Sequence, residues 1–133
     1  FAIAAFEPEA PAAIYLWDGT DLGVEHHAEP GFVLTSSGAT PPGLEEKRAA
    51  IFQDAVRQHG LSTETLEAVH RGHVPERGVF SVCMHRDVAQ TVSYSHIAVG
   101  PEEITFRYAP GPPCVTAVDA PLHLQRIDHL ARS

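Results

Sequence analysis

The sequence has little of what marks the best-known functional sites. Its 133 residues include two cysteines, one methionine and one tryptophan. Neither Cys83 nor Cys114 has the Cys-x-x-Cys spacing of a structural zinc site, and there is no glycine-rich phosphate loop, Gly-x-Ser-x-Gly elbow or His-Glu-x-x-His motif. Two cysteines form at most one bridge, and no secretion signal is visible, so we expect reduced thiols and a cytoplasmic protein.

The chain also lacks positive charge and long apolar runs. Its formal net charge is −8 and its pI is about 5.5, which argues against nucleic acid and anionic membranes as partners, because both need a basic surface. No apolar run approaches the ~18 residues that span a bilayer, so we expect no membrane insertion. The chain opens at Phe1 without a basic targeting segment, which suggests part of a larger protein.

What is present indicates an ordinary globular domain of class α+β. The composition is 44% apolar and 20% charged, and we predict a single domain over residues 1–133. Antiparallel strands are predicted at 1–6, 13–17, 22–27 and 32–35 and again at 79–85, 90–99 and 104–108. Between the two strand groups, a helix from the Thr40-Pro41-Pro42 start to about residue 58 and a second from residue 62 to Gly72 predict a helical hairpin. A further short helix is predicted at 122–130.

Residues 78–99 read as a β-hairpin that gathers polar side chains. A register that pairs Val82 with Val92 and Cys83 with Thr91 keeps like chemistry on each face. One face then carries the candidate pocket-lining residues Ser81, Cys83, His85, Thr91, Ser93 and Ser95. The alternative is that these hydroxyls bond only to neighbouring backbone or water.

Nine histidines are unusually many for this length, and two of them suggest a metal or haem site. His70 and His73 stand three apart at a helix end, where two imidazoles can share one side and bind zinc or haem iron. Against this, Gly72 is expected to end the helix between them, and no third ligand is specified. Cys83 and His85 lie two apart on a predicted strand, about 6 to 7 Å from each other, so no direct thiol-imidazole contact is expected.

Five segments, in this order, resemble the C-terminal half of the NRDE family, which includes the transport and Golgi organisation two proteins. They are Phe1-Ala2-Ile3 leading to Trp17-Asp18-Gly19, Pro30-Gly31-Phe32-Val33-Leu34-Thr35-Ser36, the helix near Leu44, Ser81-Val82-Cys83-Met84-His85, and Tyr108-Ala109-Pro110-Gly111-Pro112-Pro113-Cys114. The family commonly has a Gly-Thr-Arg-Ser-Ser run where this chain has 90–95, so only Thr91, Ser93 and, more loosely, Ser95 match that motif.

The resemblance implies an αββα sandwich like that of N-terminal-nucleophile hydrolases, with the candidate nucleophile upstream of this chain. Phe1 cannot replace that nucleophile, because it has no nucleophilic side chain. On this view the chain supplies pocket-lining strands, and any enzymatic activity is that of an amide-bond hydrolase. Family members have been linked to haem handling and to secretory organisation. Two alternatives stay open. One is a haem or metal trafficking protein that uses some of His70, His73 and His85, with a small molecule or haem as ligand. The other is a structural domain that forms a homodimer through exposed sheet edges.

Overall fold

The chain forms two compact units. In this computed structural model residues 1–7, 10–35 and 41–126 are described. The first unit spans Phe1–Ser62 and the second Thr63–Ser133. Each contains one antiparallel three-stranded sheet and one helix, so the predicted α+β class is confirmed. Among the described residues, no helix is long and apolar enough to cross a membrane.

The first unit opens with the predicted meander. Strands β1 (Ala2–Ala5), β2 (Ala12–Trp17) and β3 (Leu22–His27) pair antiparallel in that order. Asp18 closes the β2–β3 turn, where its Oδ1 accepts hydrogen bonds from the backbone N–H groups of Thr20 and Asp21 at 2.8 and 2.9 Å. The predicted strand at 32–35 is wrong, because these residues join no ladder.

Helix α1 (Leu44–His59) completes the first unit, with Glu45 and Glu46 in its first turn as predicted. It begins after the prolines rather than at them, behind a left-handed Gly43; Thr40, the predicted cap, lies outside the described residues. The helix ends as expected at Gly60, whose φ of 78° suits a residue without Cβ and whose N–H donates to the Val56 carbonyl oxygen at 2.8 Å.

The second unit places α2 (Thr63–Arg71) before a meander of β4 (Tyr94–Val99), β5 (Glu103–Ala109) and β6 (Leu122–Gln125). Two predictions fail here. The helix at 122–130 is wrong over its first four residues, because they pair with β5, while residues 127–130 lie outside the described chain. The strand at 79–85 is a series of turns, so the predicted hairpin is wrong too.

Only a remnant of the predicted hairpin forms. A single bridge joins His85 to Gln90, and the N–H of Thr91 donates to the Met84 carbonyl oxygen at 2.9 Å. This pairing is one residue away from the predicted register of Cys83 with Thr91, and β4 takes β5 as its partner instead. A one-residue slip exchanges the faces of a strand, so the shared polar surface proposed from the register does not exist as such.

Each sheet exposes apolar side chains on one face. In the second unit the cross-strand rows Ile97–Phe106–Leu122 and Val99–Ile104–Leu124 share a face, and four of these six residues are exposed. In the first unit Ile3, Tyr15 and Val24 form such a row, with Ile3 and Val24 exposed. Faces of this kind are typical of sheets on which another layer packs.

Candidate metal centre

Four side chains of the second unit converge on one point. Their ligand atoms, two imidazole nitrogens and two sulfurs, all lie within 4.8 Å of one another. They belong to His73, Cys83, His85 and Cys114, and we call this group the Cys2His2 cluster. Because the four ligands come from three separate segments of the chain, the fold and not a local motif assembles the cluster.

The end of α2 delivers the first ligand. The helix stops at Arg71, and Gly72 turns the chain so that His73 leaves the helix axis. A Cβ on Gly72 would come within 3.3 Å of the carbonyl oxygens of Ala68 and Val69, so the turn favours glycine. The Gly72 carbonyl oxygen accepts the N–H of Cys83 at 3.2 Å, which ties the second ligand to the end of the helix.

A tight turn delivers the second and third ligands. The buried Ser81 hydroxyl lies 2.8 Å from the carbonyl oxygen of Cys83 and 2.9 Å from that of Gly78, and it can donate its proton to either. The N–H of His85 donates to the Gly78 carbonyl oxygen at 3.3 Å. These bonds curl residues 78–85, so Cys83 Sγ lies 3.6 Å from Nε2 of His85. The expected separation of 6 to 7 Å is therefore wrong, because the segment is not a strand.

A proline-rich turn after β5 delivers the fourth ligand. The N–H groups of Val115 and Thr116 both donate to the Pro112 carbonyl oxygen, at 3.1 and 3.0 Å, and so enclose Cys114 in the turn. Gly111 packs so closely that a Cβ there would collide with Oγ1 of Thr116. The turn brings Cys114 Sγ to 3.5 Å from the same Nε2 of His85.

Burial and charge set the protonation of the cluster. Burial lowers the pKa of His85, and the nearby positive charge of Arg77 lowers it further, so the imidazole is neutral at pH 7 and able to bind a metal. Burial also raises the pKa of the Cys83 thiol. A fully buried thiol of this kind favours its neutral form unless a cation is beside it.

A bound ion would change the hydrogen bonding of two imidazole nitrogens, Nε2 of His73 and Nδ1 of His85. The buried Nε2 of His73 has no hydrogen-bond partner within the described chain, and coordination would satisfy such an atom. Arg77 donates to Nδ1 of His85 at 3.2 Å, which puts the ring proton on Nε2, the atom nearest both sulfurs. Coordination through Nε2 requires the other tautomer and hence release of Arg77.

Only some of the site residues predicted from the sequence lie in the cluster. His73, Cys83 and His85 meet in the cluster, whereas His70 does not join it: its Nδ1 lies 2.7 Å from the Leu66 carbonyl oxygen and its ring contacts Tyr94. Ser81 supports the turn. The remaining hydroxyls lie elsewhere: Thr91 Oγ1 accepts the N–H of Met84 at 2.9 Å, Ser93 is half-buried just before β4, and Ser95 is exposed on it.

Sequence reasoning missed Cys114 as a ligand. The signal available was the Cys-x-His pair at residues 83 and 85 together with one further cysteine and an excess of histidines. A search confined to Cys-x-x-Cys spacing overlooks sites whose ligands are spread over separate turns.

Neither protein-family models, nor curated proteins, nor solved structures give a match to this chain.

Proposed function

We propose that the second unit is a zinc-binding domain whose Cys2His2 cluster holds one structural Zn²⁺ ion. The observation that carries the proposal is the convergence of four N and S ligand atoms within 4.8 Å of one another. A zinc ion with ligands about 2.0–2.3 Å away places tetrahedral ligand atoms about 3.3–3.8 Å apart, so small side-chain movements suffice.

The kind of ligand supports zinc over other ions. Two sulfurs and two imidazole nitrogens in a tetrahedral set are typical of zinc, whereas calcium and magnesium take oxygen ligands. Haem, the alternative considered from the histidines, is less compatible with this set. A porphyrin already supplies four nitrogens to its iron and needs one or two axial ligands, not four ligands close together.

The number of ligands supports a structural role. Catalytic zinc sites usually keep one position open for water or substrate, whereas structural sites are closed by four protein ligands. Among the described residues of the second unit, few large apolar side chains are buried: Val69 and Tyr94 are, whereas Ser81, Cys83 and Ala109, which have no exposed surface, are small. A unit of this length with so small an apolar core has little stability from burial alone, and a metal ion that joins its segments stabilises the fold.

The NRDE-like function stays a second proposal. On that view the chain contributes strands to an N-terminal-nucleophile sandwich and lines a pocket whose nucleophile lies upstream. The exposed apolar face on each sheet supports a layered arrangement of this type. A zinc site in the second unit is compatible with it, because the ion would stabilise the scaffold and take no part in hydrolysis.

Cobalt substitution tests the zinc proposal. Co²⁺ in a tetrahedral site with thiolate ligands gives intense visible bands and a sulfur-to-metal charge-transfer band, which water and oxygen ligands do not give. We expect these bands in the wild-type protein at one ion per chain, their loss on addition of one equivalent of Zn²⁺, and severe weakening in Cys114→Ser and His73→Ala. His70→Ala is the matched control and should bind as the wild type does. Equal binding by Cys114→Ser and His70→Ala would refute the assignment.

A further inference from the structure

We infer that Cys83 and Cys114 are also a site of reversible disulfide formation by hydroperoxides, and that the disulfide and the zinc ion exclude each other. The inference rests on the proposed zinc site, because the same two sulfurs serve both. It adds a regulated state, in which oxidation releases the ion and reduction restores its site.

The geometry brings the two sulfurs within reach of each other. Both contact the same Nε2 of His85, at 3.6 Å from Cys83 and 3.5 Å from Cys114, and they lie no more than 4.8 Å apart. A disulfide needs a sulfur-sulfur distance of about 2.05 Å, so the sulfurs must approach by less than about 3 Å. Both thiols are free.

Unequal exposure sets the order of the reaction. Cys114 is half-buried in the turn after β5 and so keeps some exposed surface, whereas Cys83 has none. Cys114 is therefore the sulfur that meets the peroxide, and Cys83 is the resolving thiol behind it.

The chemistry balances with one hydroperoxide. The Cys114 sulfur attacks one peroxide oxygen, the O–O bond breaks, and the products are a sulfenic acid and an alcohol, or water when the oxidant is hydrogen peroxide. The Cys83 sulfur then attacks the Cys114 sulfur. The S–S bond forms, the S–O bond breaks, and the hydroxyl leaves as water with the proton of the Cys83 thiol. Two thiols are oxidised and one hydroperoxide is reduced.

Bound zinc slows this reaction because both sulfurs are then coordinated to the ion. At a free zinc concentration 100-fold above Kd, about 1% of the protein lacks the ion, so disulfide formation should slow by about 100-fold if only that fraction reacts. Conversely, a disulfide leaves only His73 and His85 as ligands, and two imidazoles alone hold zinc weakly.

The test treats the reduced 133-residue chain with hydrogen peroxide, with and without saturating Zn²⁺. Peptide mass spectrometry follows the Cys83–Cys114 cross-link, and a colorimetric chelator follows released zinc. Zinc binding by the reduced protein is measured first, independently of peroxide. Cys114→Ser should form no cross-link within a chain, whereas His73→Ala keeps both thiols and should form it even with zinc present.

Each outcome separates the two proposals. A cross-link that zinc slows by about 100-fold, with zinc released in step and rebound after reduction, supports the inference. Stoichiometric zinc binding with sulfinic acid at Cys114 and no cross-link overturns the disulfide and leaves the zinc site standing. A cross-link in a protein whose reduced form never binds zinc overturns the zinc site and the proposed regulation with it.

Discussion

Replacing Cys114 with serine removes one ligand of the Cys2His2 cluster while nearly keeping the side-chain volume. Because Cys114 is half-buried, the substitution removes little packing, and its main effect is to weaken zinc binding. An ion that joins His73 to Cys114 closes a segment of roughly 40 residues, for which a cross-link stabilises the fold by about 4 kcal/mol in the chain-entropy account. We expect Cys114→Ser to lower the free energy of unfolding of the zinc-loaded protein by up to about that amount.

Denaturant unfolding and peptide-resolved hydrogen exchange measure this effect. The amides to follow are those of Cys83 and Thr116, which donate to the carbonyl oxygens of Gly72 and Pro112 at 3.2 and 3.0 Å. In the wild type, a zinc chelator should lower the unfolding midpoint and the protection of both amides. In Cys114→Ser both should already be low and insensitive to the chelator.

The matched control again uses a histidine outside the cluster. His70→Ala loses a contact with Tyr94 and is expected to be somewhat less stable, yet it should keep the full response to the chelator. The reasoning is refuted if the wild type does not respond to the chelator, or if Cys114→Ser responds as strongly as the wild type.

Three further predictions concern the surroundings of the ion. Gly111→Ala should weaken zinc binding by about tenfold or more, because its Cβ collides with Oγ1 of Thr116, and adding Thr116→Ala should restore most of the affinity; equal affinities by calorimetry would contradict this. Arg77→Gln should strengthen zinc binding, by up to about tenfold, because its guanidinium holds His85 in the wrong tautomer; weaker binding in a competition assay would show that Arg77 supports the site instead. Zinc affinity should rise with pH from about 6 to 8, because the thiols must lose their protons and burial raises the pKa of Cys83, and calorimetry in buffers of different ionisation enthalpy should show proton release; pH-independent affinity would exclude the thiols as ligands.

The turn at Asp18 and the first and last turns of helix α1 were predictable from the residues that form them. The Asp18 turn, the acidic first turn of α1 and its end at Gly60 are all set by residues within one turn of chain, and all three are observed. The meander of β1, β2 and β3 follows from short connections between apolar runs.

Two of the wrong predictions concern the strand at 79–85 and the helix that begins at residue 122. Residues 79–85 place apolar and polar side chains on opposite faces as a strand does, but the Ser81 hydroxyl and the N–H of His85 both bond to the Gly78 carbonyl oxygen and hold the segment in a turn. Strand β4 pairs with β5 instead. The segment 122–125 alternates apolar and polar residues as a strand does, a signal that the helix prediction overlooked, and it pairs with the edge of β5.

The candidate site was predictable in part. The sequence indicates His73 and His85 as candidate metal ligands, but it indicates Cys83 only as part of a polar strand face. Cys114 lies about 30 residues from Cys83, and only the turn after β5 brings it to the other ligands. Ligand sets assembled by tertiary structure are recognised when the residues are placed together in space.

X-ray absorption spectroscopy at the zinc edge tests the central claim most directly. For protein loaded with one equivalent of zinc, we predict a first shell of two sulfurs at about 2.3 Å and two imidazole nitrogens at about 2.0–2.1 Å, with one sulfur missing in Cys114→Ser. A first shell made only of nitrogen and oxygen, or one unchanged by that substitution, would contradict the account.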